Sequence, residues 1–172
     1  TLADVNGIDF GASTVSGNLV LTSAGPVTDS GVVRVAGTTT LTNGAGNDIT
    51  FDNADDFTGA VSVVSAQNVI LNDTNALIFG VATISGTLGA TAPTGITQVG
   101  AITVAGIATL NTGTADVTLT NAANDFSTVA VTAARHASLR DANAIILGAT
   151  TLTGNLSVQG GGLVGHTITD SV

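Results

Sequence analysis

Apolar side chains alternate with small or polar side chains over short stretches of this chain. Pairs at two-residue spacing include Val33 and Val35, and Ile49 and Phe51. Alternation at this period places the apolar side chains on one face of a β-strand, and the intervening threonines suit a pleated surface. The 22 glycines and the many β-branched residues disfavour helix. The pattern therefore predicts an all-β fold made of many short strands.

The sequence repeats itself at a nearly constant interval. Three similar nine-residue segments, each with Gly at positions one and seven and Leu at position nine, occur at Gly11–Leu19, Gly80–Leu88 and Gly148–Leu156. Self-similarity at a fixed period is the signature of a repeat architecture, in which each unit buries its apolar face against its neighbours. We therefore predict a single β-solenoid segment over residues 1–172, with internal units at about 2–79, 80–147 and 148–172, the last one partial.

The repeat interval, 69 residues from Gly11 to Gly80, is long enough for several turns of a parallel β-helix. Division by three predicts coils of roughly 23 residues, a common length for stacked β-coils. Seven or eight such coils, stacked at ~4.8 Å, would form a rod about 35 Å long. Leu41, Leu110, Phe57 and Phe126 recur at the repeat interval and are the predicted core. A loop or bulge is expected at 160–162, where the third unit departs from the pattern.

Composition excludes several classes of protein. The chain has 3 basic and 12 acidic residues and a net charge of −9, and three scattered arginines cannot neutralise a phosphate backbone, so nucleic-acid binding is excluded. The absence of cysteine excludes a disulfide framework, a zinc-finger site and a thiol nucleophile. No apolar run is long enough for a membrane helix. The absence of Trp and Tyr argues against a membrane barrel with aromatic girdles. Because Thr1 opens the chain without a signal peptide, we expect a segment of a longer polypeptide.

The aspartates are the first candidates for chemistry, since clustered carboxylates hydrolyse polysaccharides in some β-helix proteins. Asp4, Asp73 and Asp141 recur at the repeat interval, which would separate them by about three coils, too far for a paired site. Asp55 and Asp56 are adjacent, so their side chains point to opposite faces of a strand. We interpret the recurring aspartates as turn caps that accept backbone N–H groups, and predict no catalytic residue and no enzyme activity.

Two further groups resemble binding sites but have simpler interpretations. The segment 44–48 is similar to a Gly-rich calcium repeat, but its counterpart at 112–116 differs, so a tight turn is the better interpretation. His136 and His166 lack partners at metal or catalytic spacing and are predicted to face solvent. Arg135, His136 and Arg140 form one locally basic spot, where a weak anion contact is the alternative to a solvated surface. We predict no metal site and no cofactor.

Four strings in this chain resemble the repeat regions of large bacterial surface proteins. They are Gly11–Leu19, Val35–Leu41, Asn47–Thr50 and Leu71–Ala76. The chain is similar to the filamentous-haemagglutinin-like exoproteins of two-partner secretion and, less closely, to autotransporter passenger domains. The resemblance implies a right-handed parallel β-helix, an extracellular or cell-surface location, a fibrous shaft and an outer-membrane secretion transporter as a partner.

Three functions are therefore expected, in decreasing order of support. The first is a structural shaft segment of a secreted or cell-surface bacterial adhesin, whose host or surface receptor the sequence does not identify. The second is a subunit of a self-assembling extracellular filament, because a solenoid with open ends exposes unpaired strand edges to a second copy. The third is a glycan-binding or glycan-active β-helix, which would need an aromatic groove.

Overall fold

A computed structural model describes residues 1–161, in which all regular structure is β-strand. The predicted loop at 160–162 extends beyond this range, and His166 lies outside it. The strands are β1 (Leu2–Asp4), β2 (Ile8–Phe10), β3 (Ser13–Val15), β4 (Leu19–Ser23), β5 (Val27–Asp29), β6 (Val33–Val35), β7 (Thr39–Thr42), β8 (Ile49–Phe57), β9 (Val61–Ala66), β10 (Val69–Asp73), β11 (Ala76–Ile84), β12 (Leu88–Thr91), β13 (Gly95–Gln98), β14 (Ile102–Asn111), β15 (Val117–Leu119), β16 (Asp125–Ala134), β17 (Ala137–Asp141), β18 (Ile146–Leu152) and β19 (Leu156–Gly160).

The strands stack in parallel as a β-solenoid of about eight coils, which confirms the predicted fold class. Each coil runs over three faces, and we number the faces in chain order. Face one begins with β1, β4, β7 and β9, face two with β2, β5 and the start of β8, and face three with β3, β6 and the end of β8. The long strands β8, β11, β14 and β16 each turn a corner and so contribute to two faces.

The coils are shorter than predicted. Leu21 pairs with Leu41, and Leu88 pairs with Ala108, so the chain returns to the same place after about 20 residues, the lower end of the range for solenoid repeats. Some steps are shorter, as from Asp55 to its partner Asp73, and others are longer, as from Thr39 to Val61. The predicted coil length is therefore wrong, because it assumed that one repeat spans a whole number of coils.

One repeat advances the chain by three coils and one further face. Leu41 lies on face one and its counterpart Leu110 on face two, next to the β12 ladder. Phe57 lies on face three, whereas its counterpart Phe126 lies on face one. Each repeat therefore presents the same residues rotated by one face. The three recurring aspartates follow the same rule, since Asp4, Asp73 and Asp141 end strands on faces one, two and three.

A continuous apolar column fills the solenoid. Leu41, Leu110, Phe57 and Phe126 are all fully buried, which confirms the predicted core. The other three phenylalanines are buried as well, and Phe51 packs against Phe10 at a tilt and against Phe57 edge to face, with ring centroids 5.7 and 5.5 Å apart. Ring pairs at this separation stabilise a core beyond their buried area.

We expect Leu110→Asp to prevent folding. The substitution removes a buried aliphatic contribution of about 1.5–3 kcal/mol and places an unpaired charge in the column, against a total stability of about 5–15 kcal/mol for ordinary domains. Thr109→Asp, at the exposed neighbouring position, is the matched control. Circular dichroism and protease digestion compare the two variants, and a protease-resistant Leu110→Asp variant with unchanged β signal would contradict the assignment of the core.

The coil length predicts which deletions the fold tolerates. Deletion of 88–107 joins Thr87 to Ala108, which occupies the position of Leu88 one coil later, and should leave a shorter solenoid that still unfolds cooperatively. Deletion of 88–110 also removes Ala108 and Leu110, the buried residues that would replace Leu88 and Ala90, and it places Asn111 at the inward position of Leu88, so we expect it to unfold the protein. Thermal unfolding of the two variants tests the register, which would be wrong if the longer deletion were the tolerated one.

Candidate functional site: inward polar groups and corner ladders

Polar side chains at the inner surface of the solenoid replace missing backbone acceptors. The carboxylate of Asp55 accepts the N–H of Val33 at 2.7 Å, and that of Asp73 accepts the N–H of Phe57 at 3.0 Å. Both aspartates are buried, at 0% and 3% exposure. Since a buried N–H without a partner costs about 1–3 kcal/mol, these carboxylates allow the chain to leave one face and enter the next.

The second repeat preserves both arrangements. Asn124, the counterpart of Asp55, accepts the N–H of Ile102 at 3.0 Å, and Asp141, the counterpart of Asp73, accepts that of Phe126 at 2.6 Å. Burial raises the pKa of Asp73, against the opposing effect of its hydrogen bonds from the Asn75 and Phe57 N–H groups. The first and second repeats therefore place the same kind of inward acceptor at the same two positions.

The recurring aspartates also cap turns, as predicted. Asp4 accepts the N–H of Asn6 at 2.7 Å, and the same contact in later coils joins Asp73 to Asn75 and Asp141 to Asn143.

The segment 44–48 forms a turn in which Gly44 has a φ of +70°, a conformation that favours glycine. Its counterpart Gly113 has a φ of +61°. Among residues 1–161 there is no group of three or more His, Cys, Asp or Glu side chains placed to hold a metal ion.

Side chains also form hydrogen-bonded ladders along the corners. The carboxylate of Asp48 accepts the backbone N–H of Asn68 at 3.1 Å, and the amide oxygen of Asn68 accepts the N–H of Thr87 at 2.9 Å. Each rung therefore reaches from one coil to the next. Such bonds complete the contacts of turn N–H groups, which have no strand partner.

His136 is a rung of the equivalent ladder in the second repeat. Asp116 accepts the N–H of His136 at 3.2 Å, and Nδ1 of His136 accepts the N–H of Asn155 at 2.8 Å. His136 thus replaces the amide of Asn68, and it is partly buried. The prediction that His136 faces solvent omitted this contact: the residue is only partly buried, and the neighbouring coil also brings a backbone donor to its ring.

One arginine of the predicted basic spot, Arg135, pairs with a carboxylate. The guanidinium of Arg135 forms a two-point contact with Asp116, with Nε–Oδ1 and Nη2–Oδ2 distances of 2.8 and 2.7 Å. Hydrogen bonding from Arg135 lowers the pKa of Asp116 to about 2. Arg140 lies five residues further on, on β17. At Arg135, the carboxylate of Asp116 therefore occupies the position in which the sequence suggested a bound anion.

The sequence matches, over almost its whole length, a family described as "Repeats of unknown function (DUF5649)". The matched units are residues 1–64, 66–133 and 134–171. This chain belongs to the DUF5649 repeat family. The units predicted from the sequence were 2–79, 80–147 and 148–172, so the matched units begin and end at different residues. Both divisions give two longer units followed by a shorter one.

Neither the curated proteins nor the solved structures contain a match to this chain. Among residues 1–161 no helix is long and apolar enough to span a membrane.

We expect Asn68→Ala to lower the free energy of unfolding by about 1 kcal/mol, the usual effect of losing a net hydrogen bond. Gln67→Ala, at the exposed neighbouring position, is the control and should change stability by less. His136→Asn should remain close to wild type, since asparagine holds the equivalent rung in the first repeat. Urea unfolding measures all three, and equal stability of Asn68→Ala and Gln67→Ala would show that the ladder contributes little.

Proposed function

We propose that this chain is a structural shaft segment of a secreted or cell-surface bacterial adhesin or fibre, and that it has no catalytic role. The observation that supports this proposal is that most of the aspartate carboxylates bind backbone N–H groups of the coils. Asp4, Asp29, Asp48, Asp55, Asp73, Asp116 and Asp141 all accept backbone N–H groups. The residues that most resemble an active site in the sequence therefore maintain the coils.

The mechanism of a shaft is mechanical. Parallel backbone ladders join each coil to the next, and the apolar column supplies cohesion along the axis. The polar rungs at the inner surface and at the corners hold the three-faced outline in coils of different length. A rod of this kind keeps its cross-section however many repeats it contains, which suits a spacer between a cell and a distant contact.

The extracellular location rests on the resemblance to filamentous-haemagglutinin-like exoproteins, and so does an outer-membrane transporter as partner. The absence of cysteine is compatible with passage through a pore as an unfolded chain. Glycan binding has less support, since the chain has no Trp or Tyr and buries all five phenylalanines.

A self-assembling filament is the second candidate. The strands β1, β2 and β3 pair with β4, β5 and β6, and the other side of each strand can pair with a further coil. A preceding repeat in a longer polypeptide would cover this edge, and so would the last coil of a second copy. The two cases differ in the mass of the denatured chain.

Electron microscopy of the purified chain tests the proposal. We expect thin rods with a repeat of ~4.8 Å along the axis, of the length of one copy for a shaft segment and growing with concentration for a filament subunit. Thr14→Pro should block growth, because Ser13 donates its N–H to the next coil and the N–H of Thr14 points to the opposite edge of the strand. Compact particles without a rod shape, or hydrolysis of glycans by the chain, would contradict the shaft.

A further inference from the structure

A reciprocal pair of amides lies at the inner surface of the second repeat. Nε2 of Gln98 donates to Oδ1 of Asn124 at 2.8 Å, and Nδ2 of Asn124 donates to Oε1 of Gln98 at 2.9 Å. Asn124 is fully buried. Such a pair is stable without a net charge because each amide carries both a donor and an acceptor.

Two carboxyl groups occupy the same place in the first repeat. Asp29 and Asp55 stand one repeat before Gln98 and Asn124 in the sequence, and their backbone contacts are equivalent. Asp55 accepts the N–H of Val33, as Asn124 accepts that of Ile102. Asp29 accepts the N–H of Asn53 at 3.2 Å, and the N–H of Asn121 approaches Oε1 of Gln98 at 3.4 Å.

The hydrogen-bond partners distinguish the two carboxyl groups. Both oxygens of Asp29 accept N–H groups, from Asp52 to Oδ1 and from Asn53 to Oδ2, so Asp29 has the environment of a carboxylate. Oδ2 of Asp55 is buried and has no donor within reach. A buried carboxylate oxygen without a donor is strongly unfavourable, whereas a protonated oxygen there would be a donor itself.

We infer that Asp29 and Asp55 together bind one proton in the folded protein. Asp55 carries this proton and donates it in a hydrogen bond to Asp29. In the second repeat, the amide N–H of Asn124 takes the place of this donor. The first repeat thus contains a proton-binding site, and the second contains its neutral, proton-independent counterpart.

The surrounding charges act in the same direction. Burial, followed by the neighbouring Asp29 and Asp73, raises the pKa of Asp55 to about 7, against the opposing effect of the N–H of Val33. Asp52 and Asp56 lie on the same strand, β8, and Arg34 of β6 pairs in register with Asp56. Among these charged groups, Asp29 and Asp73 favour a proton on Asp55.

The sign of the pH dependence follows from the direction of this shift. In the unfolded chain an aspartate titrates at about pH 3.9, whereas the folded protein retains the proton up to about pH 7. The stability that the proton contributes is complete below about pH 4, declines as the pH rises, and is lost above about pH 7. Mild acid should therefore strengthen the first repeat and leave the Gln98–Asn124 pair unchanged.

Two measurements on the whole chain test the inference. The first is carbon-detected NMR of the side-chain carboxyl groups, which reports the protonation of Asp55 in the folded wild-type protein. We expect a protonated Asp55 at pH 5. An ionised Asp55 at pH 5 in folded protein would overturn the inference.

The second measurement is the unfolding midpoint in urea between pH 4.5 and pH 8.5 for the wild type and Asp55→Asn. We expect the wild type to take up about one more proton on folding than the variant does within this range, with a remaining slope from Asp73 in both. Asp56→Asn, at the neighbouring position on the same strand, is the matched control and should keep the wild-type slope. Asn124→Asp should add a second slope of the same sign, because it places a second buried carboxyl group at the equivalent position.

An equal slope in the wild type and Asp55→Asn would overturn the inference. So would a midpoint that rises with added Ca²⁺ or Na⁺ in the wild type but not in Asp55→Asn, because a cation rather than a proton would then occupy the pair.

Discussion

Every coil of this protein must match the outline of the coil beneath it, because their backbones are joined by parallel hydrogen-bond ladders on three faces. A residue added to one coil has no partner in the next, so it must leave the ladder as a bulge or be absorbed at a corner. Register shifts of this kind occur where β7 meets β9 and where β14 meets β16. Coils of unequal length can therefore share one cross-section.

The same constraint explains why polar side chains lie inside a largely apolar column. At a corner the ladder is interrupted, and a backbone N–H is left without a carbonyl partner. Asp55, Asp73, Asn124 and Asp141 supply the missing acceptor. The three faces offer nearly the same environment. Each repeat can therefore begin one face later than the repeat before it and still place its inward acceptors at corners. As a result, equivalent residues of successive repeats lie on different faces.

Much of the fold could be predicted from the sequence, because alternation and self-similarity report directly on inward positions. The parallel solenoid, the buried Leu41 and Phe57, and the turn-capping Asp73 followed from these signals. The coil length did not, since inward Val, Leu and Phe fit any of the three faces and nothing in the pattern requires a repeat to close on a whole coil. The Asp29–Asp55 pair was also missed. Its signal was present, because Asp29 continues the inward alternation of Val27, and Gln98 continues that of Ile96.

The central claim is the register in which neighbouring coils stack. A disulfide measures this directly, because the chain has no cysteine of its own and the bond requires Cα atoms about 4.4–6.8 Å apart. Thr118 and Ser138 are in register on adjacent coils, and Arg140 lies two positions further along the same strand. Under mild oxidation, Thr118→Cys with Ser138→Cys should cross-link within the monomer, and Thr118→Cys with Arg140→Cys should remain reduced. Preferential cross-linking of the second pair would contradict the stacking described here.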